Sequence, residues 1–205
     1  VASSDNLYIG SSATDHTGLV FPDNAILPAK ELAATDAFVD LGSTTRRFKD
    51  LYLSGGVYLG GTVAANKLDD YEEGTWDITI TDLTNNATLN ASYDTGVYTK
   101  VGRLVTLTGR FIMTSKGSLS GRIYISGIPF NGIGGNSYNS GGFVAGKADN
   151  LAITAGTSIG GEITSNSDKI SLVLWDSADG SSYMDTTNLD ATADMSFSMT
   201  YMTAA

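Results

Sequence analysis

Hydrophobic residues along this 205-residue chain come in two textures. Up to about Leu68 they form clusters of two to four, stopped by Gly, Ser, Asp or Pro: Leu7-Tyr8-Ile9-Gly10, Gly18-Leu19-Val20-Phe21, Phe38-Val39-Asp40-Leu41-Gly42, Leu51-Tyr52-Leu53-Ser54-Gly55 and Val57-Tyr58-Leu59-Gly60. The first and the last two echo one another as tiny alternating strands, each halted by glycine. Strands this short cannot sustain a private core, because small regions bury the smallest fraction of their surface. Two kinds of cover stay open. Three copies of the chain wound together would pack Leu51, Tyr52, Leu53, Val57, Tyr58 and Leu59 against one another and cover strand edges. Alternatively, residues 1–70 are an extended linker whose apolar side chains lie on the domain that follows.

From Tyr71 onward the alternation lengthens. Trp76-Asp77-Ile78-Thr79-Ile80 opens this region, and Leu104 to Met113 gives the clearest strand, with Val105, Leu107, Phe111 and Met113 on one face and Thr106, Thr108 and Arg110 on the other. Gly109 falls on the apolar face, where the pattern predicts a bend or bulge. Lys100-Val101-Gly102-Arg103 predicts a tight hairpin. Further strands are predicted over 121–125, 142–147, 151–154, 169–175 and 194–202. The last carries Met195, Phe197, Met199 and Tyr201 on one face. In 169–175, Ile170, Leu172 and Leu174 share one face while Val173 and Trp175 take the other, so both sides need cover; the outer one is expected to meet another subunit. The reading is all-β: an intertwined trimeric β stem over residues 1–70, then a jelly-roll-like antiparallel β-sandwich over 71–205. An immunoglobulin-like sandwich remains open at this stage.

Composition narrows the function classes. Lys plus Arg number 12 against 22 Asp plus Glu, a net charge of −10, which excludes a broad basic face for nucleic acid. No apolar run approaches the ~20 residues needed to cross a bilayer, so no membrane insertion is expected. The opening ten residues have neither a basic start nor an apolar core, so no signal peptide is expected. Without cysteine there is no disulfide, thiolate nucleophile or iron-sulfur site, and a single His16 gives no histidine cluster within one chain. No metal and no cofactor is implied.

The acidic clusters Asp69-Asp70 with Glu72-Glu73, and Asp176 with Asp179, sit in what read as a polar junction and a turn, not across a cleft, so no catalytic pair is assigned. Arg46, Arg47 and Lys49 are the one concentrated positive run; Asp40 and Asp50, or their equivalents on a neighbouring subunit, are their expected partners. What remains are polar loops carrying an aromatic. Asn136, Tyr138 and Asn139 in 131–140, and Tyr183, Asp185 and Asn188 in 180–189, combine rigid contact area with amide and carboxylate groups suited to sugar hydroxyls. These six are the candidate receptor-binding residues.

Three stretches, Leu41 to Gly61 with its Arg47-Phe48-Lys49-Asp50-Leu51-Tyr52, Ala64 to Trp76, and Gly96 to Gly109, resemble segments of tail-fibre and related virion fibre proteins of tailed bacteriophages. The resemblance implies a homotrimer, a slender stem, attachment to other virion proteins at the N-terminal side, and a distal β-sandwich that touches a bacterial surface glycan or protein. It implies location on the virion, or outside the cell once released, and carries no catalytic motif. Many members end in a self-cleaving chaperone domain; none is recognisable after Met202, so trimerisation without one, or removal of a piece, is expected. The resulting expectation is a non-enzymatic adhesin for a cell-surface receptor, a glycan in the first place, with a structural collar, head or baseplate fibre as the alternative.

Overall fold

The computed structural model describes residues 2–3, 6–134, 141–163 and 165–204. It is all-β, with no α-helix among the described residues, and divides into two compact units, residues 1–54 and 55–205. In the first, β1 (Ala2–Ser3), β2 (Asn6–Ile9), β3 (Thr17–Phe21), β4 (Leu27–Lys30) and β5 (Ala33–Ala34) pair antiparallel in chain order. Val20 and Ala29 are buried there, and the other described apolar side chains of the unit keep substantial contact with solvent. Residues 35–54 add no strand. Leu51-Tyr52-Leu53, read from the sequence as a strand, therefore carries no ladder within one chain, since a strand of three residues needs a neighbour for its backbone groups. Lys49 pairs with Asp50 at 3.2 Å, whereas neither Arg46 nor Arg47 forms an ion pair among the described residues.

The second unit begins with a short hairpin of β6 (Val57–Tyr58) and β7 (Lys67–Leu68), bridged by a 3-10 turn at Ala64–Asn66. Its sandwich follows from β8 (Tyr71–Asp77), β9 (Thr79–Thr81), β10 (Thr88–Leu89), β11 (Thr95–Val101), β12 (Leu104–Ser115), β13 (Tyr124–Ser126), β14 (Gly142–Leu151), β15 (Ser158–Ile163), β16 (Lys169–Asp176), β17 (Gly180–Tyr183) and β18 (Leu189–Met202). The larger sheet runs β14-β18-β12-β11-β8, with β10 also on β12; the smaller runs β15-β16-β13-β9, with β17 also on β16. The chain passes from one sheet to the other between β8 and β9 at Ile78, a single residue whose N–H donates to the Asp94 carbonyl at 2.7 Å.

Alternation decides what lies between the sheets. Val105, Leu107, Phe111 and Met113 of β12 face inward beside Met195, Phe197, Met199 and Tyr201 of β18, and they meet Ile80, Ile125, Ile163, Ile170, Leu172 and Leu174 from the opposite sheet. Burying each such side chain contributes about 1.5–3 kcal/mol. The predicted hairpin is present: Val101 pairs with Leu104 across Gly102, whose φ of +57° belongs to the region glycine enters without strain.

Gly109 corrects the sequence reading. The β12–β18 register is unbroken from Leu104 to Ile112, so no bulge lies there; instead a Cβ at 109 would stand 2.7 Å from Ile78 Cδ1 and 3.0 Å from Phe197 Cζ. The glycine makes room for its neighbours. Residues 151–154, expected as a separate strand, are the last residue of β14 and the irregular segment leading to the turn at 155–156, and β15 and β17 went unforeseen.

Candidate functional site

The residues with the richest surface chemistry gather on the outward face of the smaller sheet. β16 presents Ile170, Leu172 and Leu174 to the core and therefore Ser171, Val173 and Trp175 to the other side. Across it, Tyr183 of β17 stands beside Val173, while Glu162 of β15 and Tyr124 of β13 flank Ser171. Arg122, just before β13, is drawn in by a backbone bridge to Asp185. Its guanidinium carbon lies 3.1 Å from the centre of the Tyr183 ring and 5.0 Å from that of Tyr124. An Arg122 amino group sits 3.6 Å from Glu162 Oε1, and the Tyr183 hydroxyl donates to the same oxygen at 3.0 Å. Arg122 Nε is buried without a hydrogen-bond partner among the described residues. The result is an arginine held between two phenol rings and a carboxylate, with charge balanced locally and the Tyr183 ring fixed in place.

Of the residues singled out from sequence, Tyr183 belongs to this cluster and is 51% exposed. Asp185 and Asn188 lie next to it but serve the backbone. They form a reciprocal cap on the 3-10 turn Thr186–Asn188, in which Asp185 Oδ1 accepts from the Thr187 N–H at 2.8 Å and Asn188 Oδ1 accepts from the Asp185 N–H at 2.9 Å. The Thr187 hydroxyl first, and its N–H next, hold the Asp185 carboxyl below the usual carboxylate range. Asn136, Tyr138 and Asn139 lie outside the described residues. Residues 180–189, read as a polar loop, are in fact an edge strand followed by this capped turn, since β17 has the single large side chain Tyr183 and offers no periodicity to detect.

The acidic clusters resolve in the same way. Glu72 and Glu73 belong to edge strand β8, not to a junction, where they accept the hydroxyls of Tyr98 and Tyr71 respectively; Asp70 pairs with the buried Lys100, and Asp69 with Lys67 at 2.9 Å. Asp176 accepts the N–H groups of Asp179 at 2.7 Å and Ala178 at 2.8 Å, which lower its pKa and shape the turn into β17. No group of three or more potential metal ligands occurs among the described residues. No helix among the described residues is long and apolar enough to cross a membrane.

No family model and no curated protein matches the chain. Among solved structures, the crystal structure of the Dettilon tailspike protein matches 64% of the chain with a TM-score of 0.55 at 19% identity. The fold resembles that of a tailspike. The matched part amounts to 24% of the tailspike chain, so the likeness establishes a shared β architecture over a quarter of that larger protein.

Arg122, Tyr124, Glu162 and Trp175 escaped the sequence reading as a group because no periodicity links positions on four different segments. Only the outward alternation of Trp175 was visible beforehand.

Proposed function

We propose that this chain is a trimeric adhesin of a phage virion, of tail-fibre or tailspike type, that contacts a host cell-surface receptor without chemically altering it. One observation carries the reading: many large apolar side chains between residues 41 and 63, in each of the two units, are left uncovered in a single chain. Leu41 is 74% exposed and Tyr52 89%, and Phe48, Leu51, Leu53, Tyr58, Leu59 and Val63 are each more than half exposed. A chain with this much unburied apolar surface gains by association with copies of itself.

The sandwich offers a second such surface. On the outward face of the larger sheet, Tyr71, Val101, Leu104 and Met202 stand side by side across four strands; the next rows are Glu73, Thr99, Thr106 and Thr200, then Thr75, Val97, Thr108, Ser198 and Val144. Glu73 is the one formal charge in those rows, so over them copies of a chain of net charge −10 repel little. The unpaired Arg46 and Arg47 are then free to meet carboxylates of a neighbouring copy. The shared fold with a tailspike supports the virion setting.

The test is light scattering of the full chain together with adsorption of the labelled protein to a panel of bacterial cells. A three-chain mass and saturable binding to some cells is the expected result. A monodisperse single chain overturns the trimer, and a trimer that binds no cell favours a structural collar, head or baseplate fibre.

A further inference from the structure

The outward face of the smaller sheet has a shape that the fold itself does not require. Register places Trp175 between Ser158 and Ser181, and Val173 between Gly160 and Tyr183, with Glu162 two residues beyond Gly160 on β15. Trp175 and Tyr183 are 52% and 51% exposed. A depression of 160 Å³ lies here, lined by Glu162, Val173, Ser181, Ser182 and Tyr183. Gly160 lies beside Val173. A Cβ added there would meet only the Val173 carbonyl oxygen, at 3.8 Å, and its backbone is not left-handed, so neither packing nor conformation calls for glycine. The β15–β16 register is continuous through it, which removes a bulge as the reason. Glycine inside a strand weakens the strand and is found at bulges, at tight bends and where a ligand or another backbone comes close.

We propose that this depression receives one pyranose ring of a neutral saccharide chain, which deepens and rests on the adhesin reading above. The ring's apolar C–H face matches the phenol of Tyr183 in the depression and the indole of Trp175 beside it on the same face, while its hydroxyls find Glu162 and the hydroxyl of Ser181. Arg122 and Glu162 offset each other's charge, so the site favours neither a carboxylated nor an aminated sugar. The stack of Arg122 on Tyr183 and the hydroxyl bond to Glu162 hold the phenol wall before any ligand arrives, which lowers the ordering cost of binding. Pockets for drug-sized ligands start near ~300 Å³. The depression is about half that, so it fits one ring at a time and leaves the chain to run on across the open face.

The experiment compares the full-length protein with Trp175→Ala and Gly160→Leu on an array of neutral and acidic bacterial polysaccharides and on intact cells, with circular dichroism and light scattering as fold and assembly controls. Trp175 is half exposed and a Cβ at Gly160 meets only the Val173 carbonyl oxygen at 3.8 Å, so both variants are expected to keep the fold, which the controls check. Wild type is expected to bind neutral polysaccharides, with both variants weakened at least ~30-fold, as for loss of an aromatic anchor. Bound saccharide is also expected to shield Trp175 from acrylamide quenching, while the indole of Trp76, 4% exposed, stays unquenched throughout. Wild-type affinity in both variants overturns the site but not the adhesin, as long as cells are still bound. Binding only to acidic polysaccharides or to peptide overturns the ligand class. A changed oligomeric mass in either variant puts this face between copies and overturns the proposal. Failure of the wild type to bind any cell or polysaccharide overturns the adhesin reading itself.

Discussion

Asp194 lies at the outward face of the larger sheet, where β18 is flanked by β12 and β14, and is 8% exposed. Arg110 grips both carboxylate oxygens, Nε at 2.9 Å and Nη2 at 2.8 Å, and Lys147 Nζ reaches the second at 2.5 Å. The Arg110 hydrogen bonds first, opposed by burial and reinforced by Lys147, bring the carboxyl from the ordinary 3.8 down to about 2. At 1.36 kcal/mol per pH unit this depression is worth about 2 kcal/mol of folding free energy. Because the folded-state pKa lies below the unfolded one, the contribution is complete above about pH 4 and disappears as pH falls through about 2. Asp194→Asn keeps the size and removes the charge, leaving Arg110 and Lys147 facing each other with only Asp149 nearby, 2.9 Å from Lys147. The variant is expected to lose about 2 kcal/mol at pH 7, or about 4–8 °C in melting temperature for a sandwich of this size. Urea titrations of wild type and variant at pH 7, 4 and 2, followed by far-UV circular dichroism at one protein concentration, measure the difference, in which the other carboxylates cancel. The gap should shrink toward zero at pH 2. An equal gap at pH 7 and pH 2 refutes the charge argument and makes the cost one of packing.

Two further outcomes follow from the packing. Gly109→Ala should destabilise by about 1–3 kcal/mol because its Cβ meets Ile78 and Phe197, whereas Gly160→Ala, with an ordinary contact at 3.8 Å to the Val173 carbonyl oxygen, should be neutral or stabilise by up to about 1 kcal/mol; chemical denaturation of the pair checks whether crowding or strand propensity governs. Tyr201→Phe should cost about 1 kcal/mol, since the hydroxyl donates to the Phe130 carbonyl at 2.8 Å. Burial raises the Tyr201 pKa above the ordinary tyrosine range, so in a spectrophotometric titration the wild type and Tyr201→Phe should gain the same tyrosinate absorbance up to pH 11.

The sandwich was legible wherever one side of a strand is wet and the other dry. β12 and β18 announce themselves through Val105, Leu107, Phe111, Met113 and Met195, Phe197, Met199, Tyr201, because burial imposes a period of two on composition. β15 and β17 leave no such trace: Ser158-Ile159-Gly160-Gly161-Glu162-Ile163 and Gly180-Ser181-Ser182-Tyr183 are short, and glycine and serine occupy positions that a pattern would need filled. Those two strands frame the candidate site, and for that reason it could not be assembled in advance. Asp185 and Asn188 show the converse. Their side chains suit a ligand, but the same oxygens suit a turn's free N–H groups, and the partner is decided only when the folded chain brings one within reach.

The order of strands in the larger sheet has a consequence for biosynthesis. An interior member, β18, is the last strand of the sandwich to leave the ribosome, and β12 and β14, which flank it, have no ladder with each other. During translation the earlier strands wait with Phe111, Met113 and Phe143 uncovered and with open edges that pair readily with foreign strands. A chain truncated before residue 189 thus lacks the keystone of the sheet, and the sandwich cannot close until residues 189–202 have been made.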